Sequence, residues 1–259
     1  MEKIPEHESE INEESKEKFT GLSPDHLIPG IKMEGLKKDE YGSYVGNIIP
    51  ESGNSYDTSF SNVPLKYFKD LSKDPERYTD SQKEYLKEGK KLFSGVTVVD
   101  LGCGNSANSY ELACILGAKG YIGIDSYNAD VGCLDFIAND PSNTDHIHED
   151  ALVDGKWKRD WKPIPYSIIK EDIVSFLKRV PDESVGIFCF GLDNWIIGEV
   201  SDEYFEKCGS EISRVIKEGS GEFTEINTIL RGNGLKDIRD KDFYKENFSI
   251  VIRFLKKEQ

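Results

Sequence analysis

The run Asp100-Leu101-Gly102-Cys103-Gly104 combines a carboxylate with two glycines spaced two apart. Glycines at that spacing let a chain turn sharply and let a ligand approach the backbone closely. The run before them, Val96-Thr97-Val98-Val99, is apolar and β-branched, the composition of a buried parallel strand. A helical stretch follows, and the unpaired N–H groups that open a helix face whatever lies over the turn. Asp125 comes 21 residues after Gly104, at the end of Tyr121-Ile122-Gly123-Ile124. An acid about 20 residues on, at the tip of the second strand, is placed to hydrogen-bond ribose hydroxyls. Strand, Gly-x-Gly, helix, strand and terminal acid, in that order, describe a binding site for a nucleotide-type cofactor.

The surrounding elements must hold this unit in a sheet. A helix is expected at about 108–116, with Gly117 and Gly120 marking its end. Strands are expected at 166–169, 185–190, 223–230 and 248–255, with helices at 173–180 and 202–217 between them. Strands alternating with helices predict an α/β fold, a doubly wound, mostly parallel sheet over residues 95–259. Ahead of it, residues 19–94 form an N-terminal extension. Its first part is rich in Pro and Gly and carries Tyr41, Tyr44, Tyr56, Phe60, Tyr67 and Phe68. That mixture fits either a lid over the cofactor or a layer packed on the sheet. Ser81-Gln82-Lys83-Glu84 reads as a capping box opening a helix to about Phe93. Residues 1–18 hold seven Glu and few apolar side chains, the composition of a flexible acidic tail.

Asp100-Leu101-Gly102-Cys103-Gly104 resembles the first motif of class I S-adenosylmethionine-dependent methyltransferases, and Ile122-Gly123-Ile124-Asp125 resembles their second. Glu171-Asp172-Ile173 is similar to the position that contacts adenine. Pro181-Asp182-Glu183-Ser184 is similar to the approach to the fourth strand, and Lys217-Glu218-Gly219-Ser220-Gly221 to the turn before the fifth. The resemblance implies a Rossmann-like methyltransferase fold with S-adenosyl-L-methionine as cofactor. Gly102 and Gly104 would pass under the amino-acid end of the cofactor, with Asp100 near its amino group. Asp125, with Ser126 beside it, would take the ribose, and Asp172 with Ile173 the adenine edge. Two features depart from the family pattern. Ser106 stands where a third glycine is common, and of the closing two-strand hairpin only 248–255 is clear. A nicotinamide dinucleotide site is the rival reading; Ala107 stands where its fingerprint wants a final glycine, and Asp100 favours the methyl donor.

The acceptor is less legible. By the resemblance, the reacting groups cluster beyond the fourth strand, at Gly191-Leu192-Asp193-Asn194-Trp195. Asp193 is the candidate catalytic base where the acceptor carries a proton, or else a binder of an acceptor amine, with Asn194 and Trp195 as candidate substrate contacts. The net charge of -15 repels phosphate backbones and anionic lipid, so a small-molecule acceptor is expected and nucleic acid and membrane are not. A protein acceptor gripped by the N-terminal segment, or a binding module without turnover, are the alternatives. Five cysteines with no C-x-x-C pair suggest reduced, mostly buried thiols and a cytoplasmic protein. Asp145-His146-Ile147-His148-Glu149-Asp150 has metal-site residue types but reads better as a polar loop, so no metal is expected. In Lys156-Trp157-Lys158-Arg159-Asp160-Trp161-Lys162, packed Trp residues are expected over a grip on phosphate or base.

Overall fold

The computed structural model describes residues 21–48, 67–68, 70–71, 74–104, 106–126, 131–139, 152–153, 156–157, 161–190, 201–225, 232–239, 242–243, 246 and 252–257. Five strands run parallel at its centre: β3 (Thr97–Leu101), β4 (Gly120–Ile124), β7 (Tyr166–Lys170), β8 (Val185–Cys189) and β9 (Gly221–Glu225). β11 (Ile252–Lys256) is antiparallel to β9, and the two-residue β10 (Lys236–Asp237) is antiparallel to β11. On the opposite edge, β1 (Lys37–Lys38) and β2 (Tyr44–Val45) form a small hairpin whose second strand runs parallel to β7. The full order is β1-β2-β7-β4-β3-β8-β9-β11-β10. A separate two-stranded ribbon joins β5 (Leu152–Val153) to β6 (Lys156–Trp157).

The order explains where a site can form. The chain enters the sheet centre at β3, winds outward through β4 to β7, then returns to β8 on the other side of β3. The strand order reverses between β3 and β8, and ligands bind beyond the carboxyl ends of strands at such a point. β10 and β11 supply the reversed closing pair of which the sequence shows only one member. A two-residue strand has no measurable periodicity, so β10 leaves no trace in the pattern.

Helices cover both faces. On one face lie α2 (Asp80–Phe93), α3 (Ala107–Ile115) and α4 (Val131–Asn139); on the other lie α1 (Pro24–Leu27), α5 (Ile173–Leu177) and α6 (Asp202–Val215). Each face has its own apolar cluster. Tyr85, Phe93, Tyr110, Tyr121, Phe188, Phe223 and Phe254 anchor the first; Val99, Leu101, Ile122, Ile187, Ile212 and Val215 anchor the second. β3, β4 and β8 are buried along their whole length, which accounts for their mostly apolar composition. α3 is buried from Asn108 to Cys114, so it shows no amphipathic stripe, whereas α6 buries Cys208, Gly209, Ile212 and Val215 at helical spacing.

Part of the N-terminal extension shares the sheet and its core. Leu22 N–H donates to Tyr166 O at 2.8 Å, and Gly46 N–H to Lys170 O at 3.0 Å. α2 packs across the β9–β11 end, where Phe254 N–H donates to the Tyr85 hydroxyl at 3.0 Å. The capping box of α2 is two residues earlier than the sequence suggests. Thr79, not Ser81, accepts from Gln82 N–H at 3.2 Å, and the Gln82 side chain accepts from Thr79 N–H at 2.9 Å. Both spacings satisfy the motif; the earlier start adds residues to a helix that buries Tyr85 and Leu86. Trp161 is buried against Tyr110, and its Nε1–H donates to Glu111 at 3.0 Å, so this Trp of the basic stretch packs into the core. Cys103, Cys114, Cys189 and Cys208 are buried and outside any disulfide.

Candidate cofactor site

The register of three strands assembles the site. Leu101 pairs with Ile124, and Ile124 with Ile169, so β3, β4 and β7 end side by side. Gly102 and Gly104, Asp125 and Ser126, and Asp172 and Ile173 therefore emerge at neighbouring strand tips. The structure brings these expected residues together at one edge of the sheet.

The Gly loop is fastened to β4. Gly102 N–H and Cys103 N–H both donate to Ile124 O, at 2.8 and 3.0 Å. Gly102 has φ 73° and Gly104 φ 53°, conformations that cost a residue with a Cβ about 1–2 kcal/mol. Gly104 N–H donates to Asp125 Oδ2 at 3.0 Å, linking the two sequence motifs directly. Ser106 takes φ 64°, ψ -8° as the N-cap of α3, the left-handed conformation a glycine would take there. The departure from the family pattern at this position thus leaves the turn intact. The Ser106 hydroxyl is buried against the Cys103 thiol and the Tyr121 phenol.

Asp100 lies beneath the loop. It is 1% exposed, accepts from the Tyr121 hydroxyl at 2.7 Å, and has Ser109 as a second hydrogen-bond partner. Burial pushes its carboxyl up to about 6; the Tyr121 and Ser109 bonds pull down, and the Asp125 charge adds to the rise. Burial also raises the Tyr121 phenol and the Cys103 thiol well above their ordinary values, with Asp100 adding to both. Cys103 is therefore a protonated thiol and no nucleophile. Gly123, opposite Asp100, leaves no room for a side chain: a Cβ there would lie 2.7 Å from Ile168 Cδ1, 2.8 Å from Cys103 Sγ and 2.9 Å from Ser106 Oγ.

At the β7 tip, Glu171 is fully buried and its carboxylate is forked by Arg179, with Nε 2.9 Å from Oε2 and Nη2 2.9 Å from Oε1. Arg179 also donates to Lys32 O and Glu34 O, and Asn47 N–H donates to Glu171 Oε1 at 3.1 Å. This cluster ties the N-terminal segment to the site. Ser126 donates to Glu171 O at 3.5 Å. Asp172 caps α5, accepting from Ser175 N–H at 2.8 Å, and it also accepts from the Tyr204 hydroxyl at 2.5 Å. Ile173 opens α5, where helix geometry leaves its N–H without an intrahelical acceptor.

Asp193, Asn194 and Trp195 lie outside the described residues, as do the 145–150 cluster, Tyr56, Phe60 and the tail. Among the described residues no three His, Cys, Asp or Glu side chains gather as a metal site. No helix among them is long and apolar enough to cross a membrane. The sequence reading missed Tyr121, Ser109 and the Glu171–Arg179 fork. Only Gly123, a glycine inside a strand, carried a visible signal of close packing.

The geometry defines a class: a doubly wound α/β sheet closed by a reversed pair of strands, with a Gly loop and an acid at its switch-point edge. Among solved structures, the chain is similar to PKMT2 from Rickettsia typhi in complex with AdoHcy, at 18% identity over 54% of this chain and 24% of that one, TM-score 0.32. It is similar to a SAM-dependent methyltransferase from Thiobacillus denitrificans in complex with S-adenosyl-L-homocysteine, at 18% identity over 57% of this chain and 48% of that one, TM-score 0.30. A TehB-like SAM-dependent methyltransferase from Corynebacterium glutamicum matches at 12% identity over 76% of this chain and 98% of that one, TM-score 0.37. The chain thus spans about a quarter of the first protein and about half of the second. No family model and no curated protein matches it. At these TM-scores the fold assignment stands on the strand order and register alone.

Proposed function

We propose that this protein is an S-adenosylmethionine-dependent methyltransferase acting on a small molecule. The observation that supports it most is the Gly104 N–H to Asp125 bond, which joins the two motifs across adjacent strand tips. The residues fit the cofactor. Gly102 and Gly104 leave backbone open to its amino-acid end, Asp125 and Ser126 face the ribose, and Asp172 with Ile173 meets the adenine edge. Asp100, held under the loop, places a negative charge near the cofactor's ammonium when it is ionised. The bound cofactor supplies a methyl group on a sulfonium. The protein's part is to align an acceptor in line with that methyl and, where the acceptor carries a proton, to remove it. Asp193 is proposed as that base, with Asn194 and Trp195 beside the acceptor. The net charge of -15 supports a small acceptor over a polyanionic one, and the same composition supports a cytoplasmic setting.

Calorimetry with S-adenosylmethionine and S-adenosylhomocysteine tests the reading. Micromolar binding is expected, and Asp125→Ala should weaken it by tenfold or more. Absence of binding by the wild type at high micromolar concentration refutes it.

A further inference from the structure

Three segments meet at Asp172. Its N–H donates to Asn47 O at 2.8 Å, its Oδ1 accepts from Ser175 N–H at 2.8 Å, and its Oδ2 accepts from the Tyr204 hydroxyl at 2.5 Å. Tyr204 lies in the first turn of α6, whose cap Ser201 accepts from Tyr204 N–H. The Tyr204 ring packs against the second apolar cluster, so its hydroxyl reaches Asp172 from a fixed base. Burial raises the pKa of the phenol well above its ordinary value, with the Cys208 thiol and the Asp172 carboxylate adding to the rise. It remains a donor throughout the range in which the protein would work. Asp172 itself is 7% exposed, so little water competes for its carboxylate.

A carboxylate has about four lone-pair positions, and the two bonds named here occupy two of them. They hold different oxygens, so together they fix the plane of the carboxylate. The cap N–H alone would hold one oxygen and leave the other to swing about a soft terminal torsion. We propose that Tyr204 is a positioning residue for base selectivity: by holding Oδ2 it aims a remaining lone pair of Asp172 at the exocyclic amino group of a purine. The inference rests on the proposed placement of adenine at Asp172. A site built to accept a hydrogen bond from an amino group rejects an analogue lacking it, and it does so only while its acceptor is held in place.

The test is calorimetry on the full chain with two ligands, S-adenosylhomocysteine and its hypoxanthine counterpart, in which an oxo group replaces the 6-amino group. The wild type is expected to prefer the adenine form. In Tyr204→Phe that preference should fall by about fivefold, the equivalent of one ordinary hydrogen bond. An equal loss of affinity for both ligands, or no loss, leaves the ratio unchanged and overturns the inference, because a merely structural role would not alter the ratio. A wild type that binds both ligands equally overturns it as well, while the proposed function stands. A wild type that binds neither refutes the proposed function itself. If Tyr204→Phe does not fold, 3-fluorotyrosine at position 204 keeps the shape and strengthens the donor; a ratio identical to wild type then overturns the inference, and a changed ratio supports it.

Discussion

The buried carboxyl of Asp100 makes a quantitative prediction about pH. Its value rises from 3.8 to about 6, chiefly through burial. A shift of about 2 units corresponds to about 3 kcal/mol of difference between the two protonation states. The sign follows from proton uptake: the folded protein binds this proton more tightly than the unfolded chain. The resulting stabilisation is fully present below about pH 3.8, where both states are protonated. It is lost as pH rises toward 6, and above that the ionised carboxyl burdens the fold by about 3 kcal/mol. Between about pH 5 and pH 7.5 the loss amounts to about 1.4 kcal/mol. Asp100→Asn keeps the shape and an oxygen that can accept from Tyr121, but it does not titrate. Urea unfolding of the two proteins should show the mutant gaining about 1.4 kcal/mol on the wild type over that interval. A ligand that brings an ammonium over the loop must find Asp100 ionised. Affinity for S-adenosylhomocysteine should therefore drop up to about tenfold from pH 7.5 to pH 5 in the wild type and stay flat in Asp100→Asn. A stability difference that does not change with pH would refute the account of a strained buried carboxylate, whatever the ligand does.

Three further substitutions follow from the packing. Gly123→Ala places a methyl within 2.9 Å of Ile168, Cys103 and Ser106, so it should lose about 1–3 kcal/mol in urea unfolding and weaken cofactor binding by displacing the loop. Arg179→Met removes the fork from a fully buried Glu171 and should cost about 3–5 kcal/mol, with residues 21–48 becoming readily cleaved in limited proteolysis. Thr79→Ala deletes the capping box of α2 and should cost about 1 kcal/mol, read as a lowered melting temperature with unchanged ligand affinity.

The strands at the centre of the sheet were legible because burial on both faces writes them as continuous apolar runs. Val98, Val99 and Leu101 are fully buried, as are Ile122 and Ile124, and the β-branched Val and Ile residues signal it directly. The edges were not legible. β1 and β2 are two-residue strands with exposed or half-buried side chains, so no alternation marks them. The docking of the N-terminal segment depends on Arg179 reaching Glu171, Lys32 and Glu34 together. Contacts separated by up to 147 residues leave no trace in local spacing. The last strand is expected at 248–255; Ile252–Lys256 pairs antiparallel with Gly221–Glu225, and residues 248–251 lie outside the described residues.

The two acids of the motifs show how register decides what spacing cannot. In sequence, Asp100 and Asp125 both stand beside the Gly loop, and the resemblance assigns each a contact with the cofactor. In the sheet, the last ladder pair between β3 and β4 is Leu101 with Ile124. Asp125 follows that pair; its N–H still donates to Ile169 O of β7, but its carboxylate lies beyond the β3–β4 ladder, where it meets Gly104 N–H. Asp100 precedes it, so its side chain must point to a face of the sheet, on the same side as Val98. There it meets Tyr121 and Ser109 instead of solvent. Two residues of register thus separate a carboxylate that can touch a ligand from one that acts on it only through its charge. Asp125→Ala should accordingly lose affinity at every pH, and Asp100→Asn should change affinity in a way that depends on pH.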